Sequence, residues 1–489
     1  MTLDILPVDE TYVRLSCDMG LLQEISDNMT FEVPGAKFMP KYKMGIWDGK
    51  IRLVNRMNGT IYKGLVPHII NFCQTRDYNV NVSKSIVFPF KDTINFKFSD
   101  LKLKEGIVPH DFQEEALKTC LTKKRQIIVS PTASGKSLII YGICRALEKK
   151  KTLIIVPTVG LVNQMVNDFE DYASADDSWN ADENCHKIYS GQEKDSNKQI
   201  YVSTWQSVWK KGKKYFSQFD CIIGDEVHTF DAKACTSILE KTTNAFYRFG
   251  FTGTLRESKT HELTLSGLFG PVTQMVTTKE LMDRNVVAKM QIDAIVLKYS
   301  EQVSKTIRGA KYHEEIDFIV TSEARNRFLT KLTSTREGNT LILFNFVDKH
   351  GVPMYEMMKD ALKDTHEVHF VYGGTDSEQR EKVRQLVSRK SNLVIIASYG
   401  VFSTGINMVN LHTVVLSSPT KSKVRVLQSI GRGLRKSSSK TKVNIIDIAD
   451  DLRGNRKTKN YSIKHFNSRY DMYINEGFDV NLHTYNITG

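Results

Sequence analysis

The sequence predicts an α/β protein with two tandem lobes, each wound around a parallel sheet, and a small α+β domain ahead of them. Three observations lead there. From about Arg125 onward, short β-branched apolar runs alternate with longer amphipathic stretches, the pattern of βαβ units whose sheet is buried on both faces. The series occurs twice, first at 126–129, 152–156, 200–203, 221–224 and 247–251, then at 340–344, 367–371, 393–397, 413–416 and 443–447. A chain of 489 residues also exceeds what one hydrophobic core supports.

The boundaries follow from where that pattern starts and stops. Residues 1–100 read as a separate α+β domain, with Asp48-Gly49 as a turn between two strand-like runs inside 45–53. The first lobe is expected over 101–285 and the second over 286–455. Between 279 and 323 the periodicity is less regular and reads as a connector plus the first elements of the second lobe. The segment 456–489 is polar, basic and tyrosine-bearing, with a helix expected over 464–474.

Composition narrows the class of function. Apolar residues make up 40% and charged residues 25%, and no apolar run is long enough to span a bilayer, so no membrane partner is expected. The start, Met-Thr-Leu-Asp-Ile-Leu-Pro, has neither a basic n-region nor an apolar h-region, which points to the cytoplasm. Seven dispersed cysteines, none in a Cys-x-x-Cys pair, read as reduced thiols and not as zinc ligands. The formal charge of +13 favours a polyanionic partner, since clustered Lys and Arg displace counterions from phosphate backbones.

The first expected strand runs into Ser130-Pro-Thr-Ala-Ser-Gly-Lys-Ser137, a phosphate loop in which Ser130 stands where the first glycine is usual. Phosphates need a turn of backbone N–H groups ending at a helix N-terminus, here from Thr132, Ala133, Ser134 and Gly135. Lys136 is placed to reach the β- and γ-phosphates, and the Ser137 hydroxyl to bind Mg²⁺. The alternative is a capped helix beside a strand. About ninety residues later, the apolar run 221–224 delivers Asp225-Glu-Val-His228 at a strand's carboxyl end, where open α/β sheets bind ligands. Asp225 is expected to hold Mg²⁺ and Glu226 to act as general base on the attacking water, with His228 completing the catalytic tetrapeptide. Near the end of the chain, Gln428, Arg432 and Arg435 are spaced i, i+4, i+7, so a helix sets one amide and two guanidinium groups on one face. Guanidinium forks match phosphate oxygens and can stabilise charge developing on a γ-phosphoryl group.

In this order the motifs resemble the DExH branch of superfamily 2 helicases, over about residues 108–436. The resemblance implies two RecA-like lobes that hydrolyse ATP between them, with Mg²⁺, to move along nucleic acid. It assigns Phe112 and Gln113 to the adenine, Gly405 to the nucleotide side of a motif spanning 397–405, and Thr252-Gly-Thr254 to coupling of hydrolysis with lobe movement. Asn407 stands where many relatives carry Asp, which weakens that one contact. Sequence-blind backbone contacts to the polymer fall on Thr158, Gly160, Thr204 and 398–404, Ser398 included.

The strings 38–52 and 398–405 are further similar to the recombination helicases of T4-like phages. That narrower resemblance implies branched or forked DNA as substrate: stalled forks, Holliday junctions and the RNA–DNA hybrid of R-loops, handled by a monomer. An RNA helicase and an ATP-switched clamp are the alternatives. In the N-terminal region Lys37, Lys41, Lys43, Lys50 and Arg52 are interleaved with Phe38, Tyr42 and Trp47, a mixture suited to backbone neutralisation plus stacking. Trp47 could equally fill the small domain's core. The basic stretch 453–469 is either a second contact or solvated charge.

Overall fold

Alternating burial builds the N-terminal sheet of the computed structural model from β1 (Thr2–Pro7), β2 (Tyr12–Ser16), β5 (Thr60–Tyr62) and β6 (Asn79–Val82), in the order β5-β2-β1-β6. The short strands β3 (Thr30–Glu32) and β4 (Lys50–Arg52) pair apart from it. The structure describes all residues except 34, 87–93, 231–232, 255–258, 404–409, 421, 423–425, 427–441, 455–458 and 488–489, and only the backbone at 259–261, 377 and 402–403. Leu3, Ile5, Val13 and Leu15 point inward at period two and pack with Leu21, Ile25 and Ile69 from the helices Met19–Asn28 and Val66–Gln74. The Asp18 side chain caps the first of these helices by accepting the Leu21 N–H at 2.9 Å.

The expected hairpin at 45–53 is only half present. Gly49 does turn, at φ 78°, but β4 pairs with β3, eighteen or more residues upstream, and residues 45–47 form no strand. Pro40 at a helix N-terminus explains the difference: it starts the helical turn Pro40–Lys43, which lifts the intervening chain out of the ladder.

Two units make up the chain, Met1–Ser130 with Gly135–Val276 and Pro131–Ser134 with Thr277–Gly489. In the first, β7 (Arg125–Val129), β8 (Thr152–Val156), β9 (Cys185–Ile188), β10 (Ile200–Thr204), β11 (Cys221–Asp225), β12 (Tyr247–Thr252) and β13 (Val272–Gln274) form a parallel sheet in the order β13-β7-β12-β11-β8-β10-β9. The five runs read from the sequence are its interior and wholly buried, while β9 and β13 are short edges.

The N-terminal domain is tied to this sheet by buried charge. Arg125 and Arg248, the first residue of β7 and the second of β12, are both fully buried. Glu10 receives Lys63 Nζ at 2.9 Å and an Arg125 nitrogen at 3.2 Å. Arg248 donates to the Thr11 hydroxyl at 2.7 Å, and the Tyr62 hydroxyl donates to Glu240 at 2.7 Å. Burial alone would raise the Glu10 carboxyl; Arg125 and Lys63 outweigh it and hold it below its ordinary range.

The second unit repeats the architecture with β14 (Lys289–Tyr299), β15 (Thr340–Phe344), β16 (Glu367–Val371), β17 (Leu393–Ser398), β18 (Thr413–Leu416), β19 (Lys442–Asp451) and β20 (Val480–Ile487). All pairs are parallel, in the order β16-β17-β15-β18-β19-β14-β20. The stretch read as irregular contains the eleven-residue strand β14; polar Gln291 and Asp293 interrupt its apolar run, so it lacks the signature of a strand buried on both faces. Residues 461–487 supply the helix Tyr461–Asn475 and the edge strand β20. Arg469, read as tail charge, is buried and grips Asp447 with two hydrogen bonds of 2.8 Å. Among the described residues no helix is long and apolar enough to cross a membrane.

Candidate nucleotide-binding and catalytic site

The phosphate loop follows β7, whose run Gln126-Ile-Ile-Val129 is fixed between β13 and β12. Ser130 continues the ladder by donating its N–H to Thr252 O at 2.9 Å, and the chain then turns through Ala133 at φ 70° and Gly135 at φ 76° into the helix Lys136–Ala146. Those two left-handed positions lead the loop into the N-terminus of that helix, the end of a helix that suits an anion. Lys136 Nζ folds back to Ser130 O at 3.2 Å, within reach of a group seated in the loop. The left-handed φ at Gly135 favours glycine, and a Cβ there would stand 2.3 Å from Gln113 Nε2.

That contact also locates Gln113. It is buried beside Gly135, and its carbonyl accepts the His110 N–H at 2.8 Å in a capping box that opens the helix Asp111–Lys123. The neighbouring Phe112 is buried too, its ring stacked on His110 at 5.2 Å between centroids. Both residues assigned to the adenine therefore sit at the start of one helix, with the Gln113 amide against the phosphate loop. His110 carried no signal in the sequence beyond its place before the helix.

The acid pair ends β11, and β12, which ends in Thr252, lies between β11 and β7. Thus the loop, Thr252 and Asp225-Glu226 all emerge at the carboxyl ends of three adjacent parallel strands. Burial pushes the Asp225 carboxyl well above the ordinary carboxylate range and the neighbouring Glu226 adds to this, while Lys136 and His228 pull the other way without cancelling it. Glu226 breaks from the strand at φ 54°, a left-handed conformation that costs on the order of 1–2 kcal/mol for a residue with a side chain. His228 Nδ1 lies 3.3 Å from the Glu226 carboxylate and 2.9 Å from Thr252 Oγ1. The Thr252 hydroxyl donates to Thr254 O at 2.7 Å, which leaves its oxygen to accept a hydrogen bond. The acid pair and the Thr252-Gly-Thr254 segment are in this way linked through one imidazole.

Ser137, the expected Mg²⁺ ligand, meets the Tyr172 hydroxyl at 2.7 Å. Tyr172, the last residue of the helix Val159–Tyr172, is a site neighbour that sequence reasoning missed, since nothing in its surroundings marks it. Gly405, Gln428, Arg432 and Arg435 lie outside the described residues.

Three family models match the chain: "Type III restriction enzyme, res subunit" over residues 106–257, "DNA helicase UvsW, N-terminal" over 3–83, and "Helicase conserved C-terminal domain" over 323–437. The chain is 34% identical to the ATP-dependent DNA helicase uvsW of Enterobacteria phage T4, over 98% of both chains. It belongs to the UvsW family of superfamily 2 DNA helicases. It is an ATP-dependent DNA helicase with two RecA-like lobes. A crystal structure of T4 UvsW superposes with a TM-score of 0.52 at 32% identity, covering all of both chains. The DNA 3'-5' translocase XPB2 of Sulfurisphaera tokodaii is 26% identical, over 73% of this chain and 82% of its own.

The residues assigned to the polymer fall at several depths. Thr158 caps the helix Val159–Tyr172, its hydroxyl accepting the Leu161 N–H at 3.3 Å, and Gly160 is exposed in that first turn. Thr204 is buried at the end of β10 with its hydroxyl 2.8 Å from Ser207 Oγ. Ser398 is half-buried at the end of β17. Lys41 and Lys43 are exposed, and Trp47 is half-buried with its indole N–H donated to Lys50 O at 2.9 Å.

Proposed function

We propose that the helicase uses this site to remodel branched DNA in recombination, repair and replication, regressing forks, migrating Holliday junctions and unwinding R-loops as a cytoplasmic monomer. The observation that carries the chemistry is the convergence of Lys136, Asp225-Glu226 and Thr252 at the carboxyl ends of β7, β11 and β12. In this reading the loop N–H groups and Lys136 bind the triphosphate, with Phe112 and Gln113 at its base. Glu226 takes the proton of the attacking water, and His228 holds that carboxylate in place. Ser137 and Asp225 suit Mg²⁺, because a buried carboxyl whose charge is opposed by burial gains most from a divalent cation. When bound, the ion would screen charge on the phosphate oxygens. Arg432, with Arg435 and Gln428, is assigned by its spacing to charge developing on the γ-phosphoryl group, and Gly405 to the nucleotide.

The branched substrate is supported by full-length similarity to a helicase of phage T4 and by the basic, aromatic surface of the N-terminal domain. ATP turnover and strand exchange on a synthetic four-way junction, beside a plain duplex and an RNA duplex, test it. The junction is expected to give the fastest exchange, with Lys136→Ala inactive throughout. Equal activity on all three polymers would remove the branched-DNA reading, and stimulated turnover in Lys136→Ala would remove the phosphate-loop assignment.

A further inference from the structure

The segment 36–52 is a self-supporting projection. It is closed at its base by β3 and β4, and its backbone is bonded internally: Ile46 and Trp47 donate their N–H groups to Lys41 O at 3.0 and 3.2 Å, and Val33 donates to Gly49 O at 2.8 Å. Gly49 lets the Tyr42 ring and the buried Ala36 close over the turn, since a Cβ there would sit 3.0 Å from each. The side chains at its tip nevertheless point away from any core. Phe38 is 73%, Ile46 70% and Met44 62% exposed, beside the exposed Met39 and Tyr42. Exposed apolar side chains gathered on one rigid element mark an interaction surface, because each forgoes the stabilisation that burial would give. Around them stand Lys37, Lys41, Lys43, Lys50 and Arg52 against a single carboxylate, Asp48, which Arg52 already engages.

We infer that this projection is a pin that presses its apolar tip onto the last base pair at a DNA branch point while its basic flanks hold the two diverging backbones. The inference rests on the branched-DNA reading above. Its chemistry is that of the ligand: at a branch the last base pair presents an unstacked apolar face next to phosphates on both diverging strands, matching an apolar tip ringed by cations. Met44 and Ile46 decide between a pin and a strand-binding groove, for aliphatic side chains fill the space left by a splayed pair but offer no ring for stacking along a strand.

The test uses the full chain with Met44→Ser and Ile46→Ser together, on a four-way junction carrying 2-aminopurine at the branch point. Both residues are exposed, so the variant is expected to melt within a degree or two of the unmodified chain. Unmodified protein should raise the branch fluorescence on binding, with no change when the fluorophore lies ten pairs away. The double variant should lose that rise and exchange strands at least about tenfold more slowly, with ATP turnover on a plain single strand within about twofold. Equal fluorescence and equal exchange in the variant would overturn the pin. If the unmodified chain moves no junction, the branched-DNA reading fails, and the fluorescence on a forked duplex still decides whether the tip reaches a base pair.

Discussion

Each lobe carries a pair of acids on or just after a strand inside its sheet, and the surroundings of the two pairs differ. In the second lobe, Asp447 and Asp450 on β19 are matched to guanidinium groups: Arg469 takes both oxygens of Asp447 with Tyr473 adding a third hydrogen bond, and Arg325 lies 2.8 Å from Asp450 with the Tyr299 hydroxyl at 2.9 Å. In the first lobe, Asp225 is buried next to Glu226, with Lys136 and His228 drawing its carboxyl the other way, and burial leaves that carboxyl reluctant to ionise. A buried carboxylate satisfied by arginine is structure; one that burial keeps from ionising beside a phosphate loop is a place for cationic and proton-transfer chemistry.

The largest separation of the two should come from Glu226→Gln. It keeps shape and removes the proton acceptor, so kcat for ATP is expected to fall about 100- to 10,000-fold, with ATP affinity and melting temperature nearly unchanged. If turnover survived, the acid pair of the first lobe would be structural after all. The second lobe inverts the outcome. Arg469→Ala leaves Asp447 buried without its guanidinium and is expected to cost about 3–5 kcal/mol in chemical unfolding. Replacing both, Arg469→Met with Asp447→Leu, should regain most of that, short of about 1 kcal/mol for the Tyr473 hydrogen bond.

A smaller effect, opposite in sign, belongs to Asp225→Asn. The folded state raises this carboxyl above its ordinary 3.8, so it binds its proton more tightly folded than unfolded. The ionised form therefore destabilises the fold; the penalty is absent below the unfolded pKa and complete above the folded one. Without divalent cation, Asp225→Asn should melt higher than the unmodified chain, by on the order of a few degrees at about pH 8, and the gap should close as the pH approaches 4. A gap that is constant with pH would show that the folded state does not raise the Asp225 carboxyl, and a gap that reverses sign at high pH would show a cation holding it ionised.

The contrast also explains what was legible beforehand. Strands buried on both faces, such as Cys221–Asp225 and Leu393–Ser398, announce themselves as unbroken apolar runs, and so did the loop and the acid pair that such strands deliver. β14 did not, because Gln291 and Asp293 break its run, nor did the partner of β4, which depends on a helical turn inserted after Pro40. Buried arginines were the deepest omission. Arg125, Arg248, Arg325 and Arg469 look like surface charge in a chain of net charge +13, and only the fold shows which carboxylates, carbonyls and hydroxyls they meet.

The finest test of the comparison concerns Tyr172, which belongs to the site by contact alone. Its hydroxyl lies 2.7 Å from that of Ser137, while its ring packs at 5.8 Å from Tyr141. Tyr172→Phe retains the ring and deletes one neutral hydrogen bond, worth about 0.5–1.5 kcal/mol. If the bond aims the Ser137 hydroxyl toward a bound cation, the concentration of Mg²⁺ giving half-maximal ATP turnover should rise by about two- to tenfold with melting nearly unchanged. If instead the bond is packing glue like that of Tyr473, the loss will appear as a lower melting temperature and the Mg²⁺ dependence will stay where it was.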